Sequence, residues 1–500
     1  MRAHFRPFAL AAAAALLFVA SDASTEPPAA SSSSPASTSS ASFERMPELD
    51  VAIRAIVNDS TFKSAQIGIA ILDIDSGRYL AASNEHALLN PASNAKLYTA
   101  AVALAILHGD HRFETTLTGD LKRTSVKGPL VLRGHGDPSL TTADLWAMVQ
   151  ELVKYGVRTI DGDVLVDQSF NDAEFTPPAF EQQPNEWSYF RAPVSAVALN
   201  ENCVTLTIRP SGPGGTAQAT FDPPGFVDVE GSISTVEDGA DSVVLTLAPK
   251  DKRLGAKISG KVSDKSRLVR FTKRVDDPSL LAGYALKALL ERAEIKVTGD
   301  VKSGRGAGAA QGMKLIARHQ SDPLSSLLYY LGKNSDNFYA EMIFKAIGGE
   351  GKGRPAKSEA GAELVTQWLD KNGANDKGVV IKNGSGLFDA NRVTAASTAQ
   401  LLRAVWRDPT LQPEYLAQLA VGGVDGTLQK RFRGEKTRRV VRAKTGTLDD
   451  TIALSGYVLA PAGKSPIAFA LYFNKITGHQ DGARHAADKI VEIIARRVWK

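Results

Sequence analysis

Cysteine is all but absent from this 500-residue chain: Cys203 stands alone. One thiol excludes an internal disulfide framework and a cysteine-built zinc site. Cys203 sits in a strand-like run and reads as a small buried residue. Histidine is sparse, with eight in all and no H-E-x-x-H pair. His108 and His111 make only an H-x-x-H across Gly109-Asp110 and read as loop residues, so no metal is expected. No other feature asks for a cofactor. The 42 Gly and 24 Pro are too few for a collagen-like or wholly disordered chain. The net charge of +5 is too modest to point to nucleic acid. No internal repeat is present, and past the N-terminus no apolar run is long enough to span a membrane. What is left is ordinary globular composition, 43% hydrophobic and 23% charged, with length for two to four domains.

The N-terminus points to export. Arg2, His4 and Arg6 form a basic start, and Phe8 to Ala20 is an apolar run. That run is shorter than the ~20 residues a spanning helix needs. Ser21-Asp22-Ala23 then offers small residues on either side of Asp22. This is the layout of a cleaved secretory signal over residues 1–23, leaving no transmembrane anchor. No cysteine lies nearby to carry a lipid. Residues 24–45, STEPPAASSSSPASTSSASFER, lack a large apolar residue before Phe43 and read as a flexible tether. An exported chain with one thiol must hold its fold by its core alone.

The folded part is expected from about residue 46. Leu49, Ile53 and Ile56 fall at helical spacing. Gln66 to Asp75 predicts a strand, Ser76-Gly77 its turn, and Arg78 to Ala82 the returning strand. Near the other end Ile467 to Phe473 predicts a strand and Ala483 to Val498 a helix. Both termini therefore supply one antiparallel sheet with helices packed on it, an α+β arrangement. Between about 115 and 290 the texture changes to short apolar strands, including 129–132, 162–167, 204–208 and 242–247, with one helix at 143–155. Turn signals such as Gly212-Pro213-Gly214-Gly215 separate them. This predicts a β-rich insertion over 115–290 within a domain built from 46–114 and 291–500.

Three short motifs carry chemistry. Ser93-Asn94-Ala95-Lys96 precedes an apolar run of helical length, so Ser93 and Lys96 share a helix face. A serine hydroxyl is a poor nucleophile until a neighbour takes its proton, and a desolvated lysine can do so. Ser335-Asp336-Asn337 falls at a break between helical segments. Lys444-Thr445-Gly446-Thr447 ends a strand-like stretch, with a second one at 452–458. Alone each is common; S-x-x-K, S-D-N and K-T-G in this order mark penicillin-recognising serine acyl enzymes. Further segments agree: Gly134-His135-Gly136-Asp137-Pro138-Ser139-Leu140, Asn383-Gly384-Ser385-Gly386-Leu387, Val424-Asp425-Gly426-Thr427-Leu428 and Leu454-Ser455-Gly456-Tyr457. On these residues the chain, from about 48 to its end, resembles the low-molecular-mass class C penicillin-binding proteins, D-Ala-D-Ala carboxypeptidase/endopeptidases of the penicillin-binding protein 4 type. The stretch of about 240 positions between Lys96 and Ser335 resembles the inserted domains of that family and exceeds what a compact β-lactamase needs.

The resemblance implies a serine β-lactamase/DD-peptidase-like domain with a large β-rich insertion, located in the periplasm. It implies peptidoglycan stem peptides ending in D-Ala-D-Ala as substrates and β-lactam antibiotics as acylating ligands. Ser93 would attack the carbonyl between two D-alanines, and Lys96 would take its proton. Ser335 would relay a proton toward the leaving amine with help from Lys444. Asn337 would bind substrate amides, and Lys444, Thr445 and Thr447 the terminal carboxylate. The backbone N–H groups of Ser93 and Thr447 would form the oxyanion hole.

A β-lactamase would share Ser93, Lys96 and the K-T-G strand but needs fast deacylation, which in the class A pattern a glutamate supplies through a bound water. Glu341, on a helix just past Asn337, is a poor candidate. A non-catalytic cell-wall binding module would be expected to lack part of a set that is complete here. Other signals have plainer readings. Gly384-Ser385-Gly386 lacks the flanking glycines of a nucleophile elbow and reads as a tight turn. His135 and Asp137 read as part of a glycine-rich turn rather than a catalytic pair. Lys430 to Arg439 reads as a solvated β-hairpin, or alternatively as an electrostatic lure for anionic cell-wall peptide.

Overall fold

A computed structural model describes residues 46–304 and 313–500. The expected signal (1–23) and tether (24–45) lie outside the described residues. The sheet that carries the K-T-G segment has six strands. Their order is Ala420–Val421, Val441–Leu448, Thr451–Val458, Ile467–Asn474, Gln66–Asp73 and Tyr79–Ser83, every neighbouring pair antiparallel. Both chain ends meet at its centre, where Gln66 faces Asn474 and Asp73 faces Ile467.

Strand period two explains why this sheet takes helices on both faces. Ile467, Phe469, Leu471 and Phe473 alternate with Ala468, Ala470 and Tyr472. The large set packs with Leu49 and Ile53 of the helix Pro47–Val57 and with Ile490 and Ile494 of the helix Gln480–Val498. The other set, with Ala70, faces the helix Ala395–Arg407. Alanines on that face let this helix approach closely. The helix Ala95–Leu107 lies in the same core, packed on the helix Asn337–Lys352. Its sequence, AKLYTAAVALAIL, is apolar nearly all round, which is the signature of a helix buried on every side. Lys96 and Thr99 are buried with it.

The region after this helix is rich in strands. Seven form one sheet, including Glu114–Lys122, Ser125–Gly134 and Val164–Asp167, covered by the helices Thr142–Lys154 and Leu281–Arg292. The sheet continues past residue 290: Lys314–Gln320 pairs antiparallel with Glu114–Lys122 and leads straight to the helix Leu324–Asn334. Sequence periodicity could not show that pairing, because Lys314–Gln320 alternates weakly. Two smaller sheets lie between, one of three strands around Cys203–Arg209 and one of four around Arg253–Ser263. Cys203 is buried there.

The run Lys430 to Arg439 forms no hairpin of its own. It is a turn-rich excursion between Ala420–Val421 and Val441–Leu448, with Phe432 and Thr437 buried. A helix-packed sheet depends on its large face, so Phe469→Ala should cost about 3–5 kcal/mol in equilibrium denaturant unfolding. A loss under 1 kcal/mol would mean that this face is not the core.

Candidate active site

Ser93 lies in a single 3-10 turn, Ala92–Asn94, that runs into the helix Ala95–Leu107. Ala92 takes a left-handed φ of 45°, a conformation that a non-glycine residue keeps only when its surroundings hold it there. Two glycines hold it. A Cβ at Gly386 would sit 1.8 Å from the Ala92 carbonyl oxygen, and Gly386 itself has a φ of 75°. A Cβ at Gly446 would meet Pro91 and Ala92 at about 3 Å. The Ser93 turn is thus gripped between the 383–386 turn and the K-T-G strand.

Lys96 Nζ lies 3.1 Å from Ser93 Oγ, 2.8 Å from Asn337 Oδ1 and 2.7 Å from the Ser385 carbonyl oxygen. Among the described residues no carboxylate pairs with it. Burial therefore pushes its pKa down to about 7, against weaker opposing pulls from Asp336 and Glu341. Ser335 ends the helix Leu324–Asn334 in a left-handed conformation, φ 58°. Asp336 then caps the next helix, Asn337–Lys352, by accepting from the Tyr339 N–H at 2.8 Å. This break turns Ser335 Oγ toward Lys444, whose Nζ donates to it at 2.7 Å and to the Thr445 carbonyl at 2.9 Å. Lys444 is buried and likewise has no paired carboxylate among the described residues. Burial first, and then the nearby Lys96, hold its pKa well below the ordinary lysine value.

The remaining motif residues surround this centre. Asn337 is engaged at both ends of its amide, since its Nδ2 also donates to the Phe190 carbonyl at 2.9 Å. A substrate amide must therefore displace one of these bonds to use it. Thr445 Oγ1 donates to Thr427 Oγ1 at 2.8 Å. Thr447 is exposed and lines a 750 Å³ cavity with Asn90, Gln182, Phe190 and Arg392.

Several participants escaped the sequence reading. The 383–386 segment is a tight turn, but its Ser385 carbonyl is a ligand of the Lys96 ammonium. Glu341 holds that turn: its carboxylate accepts from the Gly384 N–H at 3.0 Å and the Ser385 N–H at 2.7 Å. Asn94 spans to the strand Thr451–Val458. Its amide oxygen accepts from Ser455 and its nitrogen donates to the Lys444 carbonyl at 2.9 Å. Gln182 and Phe190 bring the inserted region to the cleft wall. Glu341, an acidic residue in an otherwise apolar helical stretch six positions past the helix break at Ser335, was the one sequence signal that could have found the turn. His135 stacks on Phe170, while Asp137 binds Ser139 and faces His319; the two do not pair. Among the described residues no group of three His, Cys, Asp or Glu could hold a metal.

A serine beside a neutralisable lysine, with a second lysine on a second serine, defines a serine acyl-enzyme site on a helix-and-antiparallel-sheet fold. The chain belongs to the D-Ala-D-Ala carboxypeptidase 3 (S13) family, whose sequence pattern matches residues 49–497. It is 32% identical over 470 residues to the D-alanyl-D-alanine carboxypeptidase of Actinomadura sp. (strain R39), covering 91% of this chain and 86% of that one. It is 25% identical to the DacB carboxypeptidase of Haemophilus influenzae, over 84% of this chain and 88% of that one. Its fold is that of the crystal structure of penicillin-binding protein 4 from H. influenzae, with a TM-score of 0.74 at 23% identity, covering 90% of this chain and 99% of that one.

Gly386→Ala should leave the protein folded by circular dichroism. Because its Cβ would displace the Ala92 carbonyl, acylation by benzylpenicillin should slow about a hundredfold. An unchanged rate would show that the grip on the nucleophile turn is dispensable.

Proposed function

We propose that the serine D-Ala-D-Ala carboxypeptidase activity of this family runs here through Ser93, and that the same site is acylated by penicillins. The observation that carries the assignment is the pair of buried lysines, each on a serine hydroxyl and neither on a carboxylate. A lysine held near a pKa of 7 is neutral often enough to accept a proton at working pH. Ser93 Oγ attacks the carbonyl carbon of the D-Ala-D-Ala bond as its proton passes to Lys96 Nζ. The oxyanion forms at the backbone N–H groups of Ser93 and Thr447. The C–N bond then breaks while the leaving nitrogen takes a proton from Ser335, which Lys444 replenishes, and the proton gained by Lys96 makes good the loss at Lys444. Water attacks the resulting ester and gives a proton to the again neutral Lys96, which passes it to Ser93 Oγ as the ester C–O bond breaks.

The substrate sets the protonation pattern. Its terminal carboxylate, held by Lys444, Thr445 and Thr447, favours the ammonium form of Lys444. The positive charge at Lys444 in turn favours neutral Lys96. Asn337 exchanges one internal bond for a substrate amide. A stem peptide cross-linked through diaminopimelate presents the same D-Ala carbonyl, which supports DD-endopeptidase activity as a second reaction. The basic start, apolar run and small residues of 1–23 support export to the periplasm. A β-lactamase of the class A pattern needs a carboxylate free to activate water, and both oxygens of Glu341 are taken by Gly384 and Ser385.

Intact-mass spectrometry after mixing with benzylpenicillin should show a lasting adduct that maps to Ser93, and Ser93→Ala should show none. An adduct on Ser93→Ala would overturn the nucleophile. The acylation rate should rise with pH through about 7 and then level, because only neutral Lys96 accepts the proton. Asp336→Asn removes a negative charge that favours the Lys96 ammonium yet keeps a capping side chain, so the rising limb should move to lower pH. A limb that stays in place or moves up would separate Asp336 from Lys96.

A further inference from the structure

On the strand Val441–Leu448 the cations continue past Lys444. On a strand, side chains two apart share a face and lie about 7 Å from one another, so Arg442 stands beside Lys444 on Val441–Leu448. Lys333, from the helix end just before Ser335, binds Asp425 at 2.9 Å. Asp425 and Arg439 both face Arg442. Asp425 is thus shared by two cations, and Arg439 adds a third. From Arg439 the chain enters the 430–439 excursion, where Lys430, Arg433, Lys436, Arg438 and Arg439 are exposed with only Glu435 among them.

This run is not a loose, solvated stretch. Phe432 and Thr437 anchor it in the interior, and Thr437 Oγ1 donates to the Gly434 carbonyl at 3.0 Å. Arg431 is tied to Asp488 of the C-terminal helix at 2.5 Å. Among the described residues the five exposed cations have no acidic partner. Like charges held together on an ordered surface repel one another, and an anionic ligand would relieve that repulsion.

We propose that Arg442, Arg439, Arg438 and the exposed cations beyond them bind an acidic peptide attached to the leaving residue, namely the second stem peptide of a cross-linked substrate. This rests on the function proposed above, because it needs the leaving carboxylate at Lys444 and Thr445. With that carboxylate anchored, the side chain of the leaving residue is the part of the substrate that can extend along this side. In a D-Ala-D-Ala end it is a methyl group, which gives cations nothing to bind. In a cross-link it carries a second peptide with free carboxylates of its own. The stripe therefore selects the cross-linked substrate by charge, while the bond broken and the water consumed are the same.

The test compares two substrates of the full-length protein: diacetyl-L-lysyl-D-alanyl-D-alanine, and the peptide dimer released from sacculi by a muramidase. Arg438→Glu/Arg439→Glu should lower kcat/KM on the dimer about tenfold and leave the short peptide within about twofold. For the unaltered protein, raising salt from about 20 to about 200 mM should slow dimer cleavage several-fold, and the variant should lose that dependence. A second variant, Lys430→Glu/Lys436→Glu, alters side chains away from the cleft and should reduce dimer cleavage in the same direction. Unchanged benzylpenicillin acylation shows that each variant is folded. Equal effects on both substrates, or none on the dimer, would overturn the proposal. If the unaltered protein took no penicillin and cut neither substrate, the reading of the catalytic site would itself fall, and this proposal with it.

Discussion

Two lysine side chains lie in the interior, each without a carboxylate at its nitrogen. Moving an ammonium from water to an apolar site is so costly that the group gives up its proton instead. The surroundings supply oxygen acceptors without supplying charge: the Ser385 and Thr445 carbonyls, the Asn337 amide and two serine hydroxyls. Asp336 and Glu341 act on Lys96 from further off and limit its fall to about 7. A carboxylate in direct contact would have kept Lys96 charged and useless as a base. Much of the local architecture follows from that exclusion.

Four segments far apart in the chain must then meet within a few ångströms: 93–96, 335–337, 383–386 and 444–447. The close approach is made by residues with little or no side chain. Gly386 and Gly446 let two segments press on the Ser93 turn, and alanines on the sheet face let the helix Ala395–Arg407 sit close. Glu341 shows how a buried charge can serve geometry. Its two oxygens fix two backbone N–H groups, and the carbonyl they orient becomes a ligand of Lys96.

Much of the terminal sheet was legible because its strands alternate and its helices show a clear apolar stripe. Leu49, Ile53 and Ile56, and the run Ile467 to Phe473, fall where periodicity puts them. The long insertion was legible as strand-rich texture, yet Lys314–Gln320 was not, since its pairing with Glu114–Lys122 is made across nearly 200 residues. The same limit hid Asn94, Ser385 and Phe190. Their importance comes from what they touch, and nothing in their local sequence records it. The 430–439 run, read as a solvated β-hairpin, takes another shape, because Phe432 and Thr437 anchor turns there.

By itself the sequence determined the chemical inventory: a serine and a lysine one helical turn apart, a second serine at a helix break, and a second lysine on a strand. Residue type and short spacing suffice for that, since both act within one element. Only the tertiary structure decided which lysine serves which serine and how far each is removed from water. Proton affinity depends on burial and on charges brought in from distant segments, and those are properties of the folded chain alone.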